Sequence, residues 1–220
     1  MLTFDQTWRF PDGELHLPSK MRKANLRVDG WLTYQYPLYQ QGLQHVRARR
    51  VAVDVGAHVG LFSRWMVRDF AQVIAFEPVA AHRACWELNV QARPQDVLHG
   101  CALGAAPGSV SLAPEVPSSS GGTHIVGPGS VPLRTLDSFD VPSIDLLKID
   151  VEGCELEVLK GGAATIARSR PVIIVEQRPR QVARFKHGPH DAVTWLQRAG
   201  ARVMWTDQRD YVLRFPEAAA

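Results

Sequence analysis

Lys148-Ile-Asp150-Val-Glu152 places one cation and two carboxylates on alternate residues at the end of an apolar run. If that run is a strand, the three side chains share a face, because successive strand residues point to opposite sides. An acid in that position can accept a proton or orient a hydroxyl. Asp150 is the leading candidate for such a catalytic group and Glu152 the second. Lys148 would lower the pKa of a reacting hydroxyl or pair with one of the acids. Glu176, ending the next apolar run, extends the acidic rim. Asp150, Glu152 and Glu176 together offer the oxygen ligands that a divalent cation takes, although the reading does not favour a metal.

A second group of residues points to binding. Asp54-Val-Gly56-Ala57-His58-Val-Gly60 sits where an apolar run gives way to a helical pattern, and Glu77-Pro78 ends the run after that. A helix start offers unpaired N–H groups and a partial positive charge. An acid roughly 20 residues beyond such a turn suits ribose hydroxyls. The dinucleotide fingerprint G-x-G-x-x-G is absent because residue 58 is histidine, which argues against a nicotinamide-dependent oxidoreductase. Adenosine without a diphosphate fits both features.

The elements that must position these groups follow from hydrophobic period. Short runs rich in β-branched residues predict strands over residues 51–55, 72–76, 97–103, 144–149 and 171–176. Between them, Leu61, Phe62, Trp65, Met66 and Phe70 recur at helical spacing. So do Ala81, Ala84, Cys85 and Leu88, and then Leu156, Leu159, Ala163 and Ile166, with a kink expected at Gly161-Gly162. Residues 190–199 read as a helix, and 202–205 with 211–215 as a hairpin closed by a tight turn over 207–210. The alternation implies an α/β doubly wound, mostly parallel sheet with an antiparallel C-terminal hairpin. This domain is expected over residues 50–220. Residues 1–49 read as an N-terminal arm on the substrate side. The Pro-, Ser- and Gly-rich stretch 104–134 reads as a loop insert with one short strand at 109–112. Trp31, Tyr34, Tyr36 and Tyr39 are expected in core packing, and Arg178, Arg180, Arg184 and Lys186 on a solvated surface.

Composition narrows the class. The chain has 220 residues, 45% of them apolar, enough to bury the core of one large domain. Its three cysteines form no C-x-x-C pair, so neither a disulfide framework nor a zinc knuckle is expected. No secretory pattern opens the chain, and no apolar run approaches the roughly 20 residues that span a bilayer. A soluble, cytoplasmic protein with no membrane partner is the expectation. A net charge of +3 does not argue for nucleic acid. Oligomeric state is left open.

Two further segments, Thr135-Leu-Asp-Ser-Phe139 and Lys148-Ile-Asp150-Val-Glu152-Gly153-Cys-Glu155, join the glycine loop and Ala75-Phe-Glu77-Pro78 in a pattern that resembles the FkbM-type methyltransferases over residues 50–180. The resemblance implies the class I methyltransferase (Rossmann-like) fold and S-adenosylmethionine as cofactor, with S-adenosylhomocysteine as product. It further implies O-methylation of a hydroxyl on a sugar or small natural product, hence a small-molecule or glycan acceptor. The alternatives are an RNA or protein nitrogen as acceptor, or a non-catalytic adenosyl-binding module. By that resemblance Asp54, Gly56, Ala57, His58 and Gly60 would shape the methionine end of the cofactor pocket. Glu77 and Pro78 would hold the ribose, Ala102 and Leu103 would lie near the adenine, and Asp150 would sit near the sulfonium. His58 stands where asparagine is more usual.

Overall fold

The computed structural model describes residues 1–207 and 209–217. Residues 1–49 build two small hairpins and two helices. β1 (Leu2–Phe4) pairs with β2 (Trp8–Phe10), helix α1 (His16–Ala24) follows, β3 (Leu26–Val28) pairs with β4 (Trp31–Thr33), and helix α2 (Tyr36–Leu43) leads to the main sheet. The arm is anchored by its own apolar residues: Trp8, Phe10, Leu17 and Met21 pack with Val59, Leu61 and Cys85 of the main domain. Asn89 ties the two together, donating to the carbonyls of Arg9 (2.9 Å) and Val59 (2.8 Å) and accepting from the Arg9 amide.

The main sheet begins with β5 (Val51–Val55), α3 (Ser63–Asp69), β6 (Gln72–Phe76), α4 (Ala80–Asn89) and β7 (Val97–His99). A second, four-stranded sheet follows, made of β8 (Ala102–Leu103), β9 (Gly108–Val116), β10 (Ser119–Pro128) and β11 (Val131–Arg134). The chain then returns through β12 (Leu146–Ile149), α5 (Glu155–Gly161), α6 (Ala163–Ser169), β13 (Val172–Glu176), α7 (Pro179–Val182), α8 (Asp191–Arg198), β14 (Arg202–Thr206) and β15 (Asp210–Arg214). Strand order in the main sheet is β14-β15-β13-β12-β5-β6-β7, with β15 antiparallel to both neighbours. Strand side chains alternate between two cores. Val51, Val53 and Val55 pack with Leu147, Ile149 and Leu159, whereas Ala52 and Leu146 face Tyr39, Trp65 and Met66. Strand order reverses between β5 and β12, which opens a crevice beyond their carboxyl ends.

Several expectations need correction. The stretch 104–134 is a long antiparallel hairpin, β9 with β10, and not a loop. Its strand pattern is hidden because the pairing shifts register between Ser119 and Thr123 and again between Ile125 and Gly127, so alternation is broken where the glycines fall. Pro114 is accommodated because β11 pairs with β9 only through Val110, leaving that side of residue 114 without a partner strand. The single strand expected over 97–103 is two: β7 ends at His99, and Ala102-Leu103 turn away to pair with β11. The helix expected to kink at Gly161-Gly162 is divided there into α5 and α6. The turn expected over 207–210 includes Gln208, which lies outside the described residues. No helix of the described residues is long and apolar enough to cross a membrane.

Candidate active site

Gly56 opens the crevice. Its φ of 75° lies in the left-handed region, and a Cβ there would stand 1.9 Å from the Asp150 carbonyl oxygen. Only glycine lets the ends of β5 and β12 approach this closely. The loop is pinned to the next strand by the amides of Gly56 and Ala57, both donating to the Phe76 carbonyl at 3.0 Å. His58 also has a left-handed φ, 51°. Asparagine and histidine both tolerate that region better than most residues, so the exchange keeps the turn.

Glu77 emerges just past β6 and is buried. Its Oε2 accepts the His58 amide (2.9 Å), and its Oε1 accepts the Val79 amide (2.9 Å) and faces His82 Nδ1 (3.0 Å). A carboxylate has about four lone-pair positions, so three bonds leave room for one more donor at Oε2. His82, on α4, was not singled out in the sequence because nothing in its local pattern links it to a residue across a turn.

The pocket above these groups is lined by Gly56, Ala57, His58, Glu77, Pro78, Ala102, Leu103, Lys148, Asp150 and Glu152. Asp54 and Gly60 do not line it. Asp54 lies fully buried beneath the loop, accepting from Ser63 Oγ at 2.6 Å and paired with Lys148 Nζ at 3.2 Å. A Cβ at Gly60 would strike Val90 and Trp86, so this glycine serves packing against α4. Lys148 donates to Gly56 O (2.7 Å) and Val55 O (3.3 Å) and is ion-paired with Asp54. It therefore pairs with Asp54, not with Asp150 or Glu152. Burial works against its charge, but Asp54, with Asp150 and Glu77, outweighs burial and holds the ammonium above its ordinary pKa.

The expected single face of Lys148, Asp150 and Glu152 also needs revision. β12 ends at Ile149, and Glu152 takes a left-handed φ of 61° in the turn beyond it. Asp150, Glu152 and Glu176 nonetheless converge, each with a carboxylate oxygen within 4.8 Å of the others. Their partners differ. Glu152 accepts from Gln181 Nε2, and Glu176 pairs with Arg178 at 2.5 Å, whereas among the described residues no protein group donates to the Asp150 carboxylate. Arg178 was expected on a solvated surface; it is drawn into the pocket by this acid. Because the guanidinium already answers the charge of Glu176, a divalent ion at the triad would have to share that ligand.

Burial, with Asp150 beside it, pushes the Glu152 carboxyl up to about 8 and Glu176 well above the usual range. Burial and the charges of Asp150 and Glu176 also raise the Tyr34 phenol, which stays protonated and lines the same pocket. Tyr39, by contrast, is a core residue whose hydroxyl donates to Asp69 at 2.6 Å. A pH effect follows from Glu152. The folded chain holds a proton that the unfolded chain loses near 4.5, so this group's contribution is complete below about 4.5 and lost as pH rises through about 8. Glu152→Gln is expected to gain on the parent by up to a few kcal/mol as pH rises across that window. Denaturant unfolding near pH 5 and near pH 9 measures the gap; one that stays constant refutes the raised carboxyl.

The β9–β10 hairpin covers the pocket. At its tip, the Leu15 amide donates to Ser118 O (3.0 Å), and Glu14 Oε2 accepts both the amide (2.5 Å) and the hydroxyl of Ser120. His58 Nε2 lies 2.8 Å from the same Ser120 Oγ. Since the hydroxyl gives its one proton to Glu14, His58 Nε2 is the donor in that contact. Burial, with His82, Lys148 and Lys20 nearby, keeps the His58 ring neutral, in agreement with that tautomer. The arm, the loop and the hairpin thus meet over one chamber.

The family model described as the methyltransferase FkbM domain matches residues 54–203. Among curated proteins, the chain is 33% identical over 129 residues to the hexuronic acid methyltransferase AglP of Haloferax volcanii, covering 54% of this chain and 52% of that one. It is 29% identical over 144 residues to methyltransferase 1 of Beauveria bassiana, covering 50% and 57% respectively. The chain therefore spans little more than half the length of these relatives. Among solved structures, the FkbM methyltransferase of Methylobacillus flagellatus aligns with TM-score 0.50 and 19% identity, over 79% of this chain and 45% of that one. The N-methyltransferase NodS of Bradyrhizobium japonicum aligns with TM-score 0.53 and 10% identity, over 83% and 94%. These likenesses identify the fold as that of the class I methyltransferases.

Proposed function

We propose that this chain, which belongs to the FkbM methyltransferase family, binds S-adenosylmethionine between the ends of β5 and β12 and methylates a hydroxyl oxygen of a sugar or small natural-product-like acceptor. One observation carries the reading: the glycine loop, Glu77 and an Asp150 carboxylate with no donor among the described residues all face one pocket. The donor set suits the cofactor. Glu77 keeps an acceptor position for a ribose hydroxyl, and Ala102 with Leu103 offers apolar surface to the adenine. The pocket lacks the G-x-G-x-x-G turn that would cradle a diphosphate. The name of the Haloferax relative, a hexuronic acid methyltransferase, supports a sugar-type acceptor.

When bound, the cofactor supplies a methyl group activated on a sulfonium. The chain's own residues orient the acceptor and manage its proton. Asp150 receives the hydroxyl proton or fixes the oxygen's direction. Glu152, which keeps its proton at neutral pH, acts as a donor to the acceptor and not as a base. The Tyr34 phenol is a second donor. Lys148 acts through the loop, whose carbonyls it holds. The hairpin screens the chamber from water, which strengthens each of these interactions.

Titration calorimetry tests the reading. Binding of S-adenosylmethionine and S-adenosylhomocysteine in the micromolar range, about −8 kcal/mol, is expected, and none of NAD. Glu77→Ala should weaken S-adenosylhomocysteine by roughly 10- to 100-fold, the loss of a hydrogen bond to a charged acceptor. Heat with NAD and none with S-adenosylhomocysteine would overturn the proposal.

A further inference from the structure

The pocket holds a cation that the roles above leave unused. Asp150 and Glu152 line the pocket, with Glu176 beside them, and Lys20 lines it from the arm. Helix α1 turns Leu17 and Met21 into the core, and His16 and Lys20, four residues apart, share the neighbouring face and line the pocket together. Lys20 is half-buried, with its Nζ 5.7 Å from the centre of the Tyr34 ring, and among the described residues it has no ion pair. The acid nearest in sequence is committed elsewhere. Glu14 Oε1 accepts the amides of His16 (2.7 Å) and Leu17 (2.9 Å), and its Oε2 holds Ser120. A lysine ammonium drawn into a pocket without a counter-ion calls for an anionic ligand group.

We infer that Lys20 binds the methionine carboxylate of the cofactor, so that the arm reads the amino-acid end while Glu77 reads the ribose. The inference rests on the S-adenosylmethionine reading above. An α-amino-acid group fits such a cation, with its carboxylate toward Lys20. Lys20 also lies close enough to His58 of the glycine loop for its charge to help hold that ring neutral.

The test pairs a residue change with a ligand change. S-adenosylhomocysteine carries the amino-acid group, and 5′-methylthioadenosine keeps the nucleoside and sulfur without it. Lys20→Met should weaken the first by roughly 10- to 50-fold, a charge-assisted hydrogen bond by the tenfold-per-1.4 kcal/mol rule. It should leave the second within about twofold, and Lys20→Arg should recover most of the loss. Retained binding of methylthioadenosine shows that the variant folds. Equal weakening of both ligands overturns the assignment, since Lys20 would then shape the pocket as a whole. No weakening of either overturns it too and leaves the ammonium for the acceptor. A parent protein that binds neither ligand sinks the cofactor reading and this inference with it; parent binding with the wrong pattern sinks this inference alone.

Discussion

Asp150→Asn is expected to slow methyl transfer by roughly 10²- to 10⁴-fold, the usual worth of a positioned acid or base, while S-adenosylhomocysteine affinity changes by less than about threefold. The split follows from what surrounds each carboxylate. Glu152 is occupied by Gln181 and holds its proton to about 8, and Glu176 is answered by Arg178. Asp150 faces the pocket with no donor among the described residues, on a backbone fixed by its amide's bond to Val55 O at 3.1 Å. The amide side chain is close to isosteric, so the fold and the loop stay in place, but it cannot take up a proton. The measurement is single-turnover transfer of a labelled methyl group to a hydroxyl-bearing acceptor, alongside calorimetry with S-adenosylhomocysteine. A full rate with the amide would remove Asp150 from the proton's path. A rate and an affinity that fall together would make it a cofactor ligand instead.

What could be read from the sequence and what could not divides along a physical line. β5, β6, β12 and β13 are buried on both faces, so they read as continuous apolar runs, and the residues at their ends (Gly56, Glu77, Asp150 and Glu176) are legible from the sequence. Their convergence follows from strand order alone. The partners of those residues were another matter. Gln181 on Glu152, Asp54 on Lys148 and Ser120 on His58 are contacts across the fold with no local pattern behind them, and His82 reaches Glu77 only through the turn into α4. Lys148 shows the consequence. Its alternation with Asp150 suggested a reacting group, and only its three partners reveal a buried brace for the loop. The hairpin was missed for a different reason. Glycine and proline are ordinarily loop signals, and here they sit at register shifts and on an unpaired strand side, where a sheet tolerates them.

Gly56→Ala is expected to be the most damaging small substitution in the chain, lowering stability by about 3–5 kcal/mol. Two penalties combine in that figure: about 1–2 kcal/mol for a Cβ in the left-handed region and about 1–3 for overpacking. The second belongs near its upper end because the group met at 1.9 Å is the Asp150 carbonyl oxygen, part of the backbone, and cannot rotate aside. In a domain of this size each kcal/mol shifts Tm by about 2–4 °C, so a fall of roughly 6–20 °C should appear on thermal unfolding. Gly60→Ala makes the control. Its φ of 95° carries a similar backbone strain, but its Cβ would meet Val90 Cγ2 at 2.4 Å, a side-chain methyl that can yield. The expected order is therefore Gly56→Ala worse than Gly60→Ala in Tm. Only the first should also depress S-adenosylhomocysteine binding in whatever fraction stays folded, because relief of its clash forces β5 and β12 apart at the point where the cofactor would sit. Equal Tm values for the two variants, or a Gly56→Ala protein that binds as the parent does, would show that the two strand ends separate without consequence.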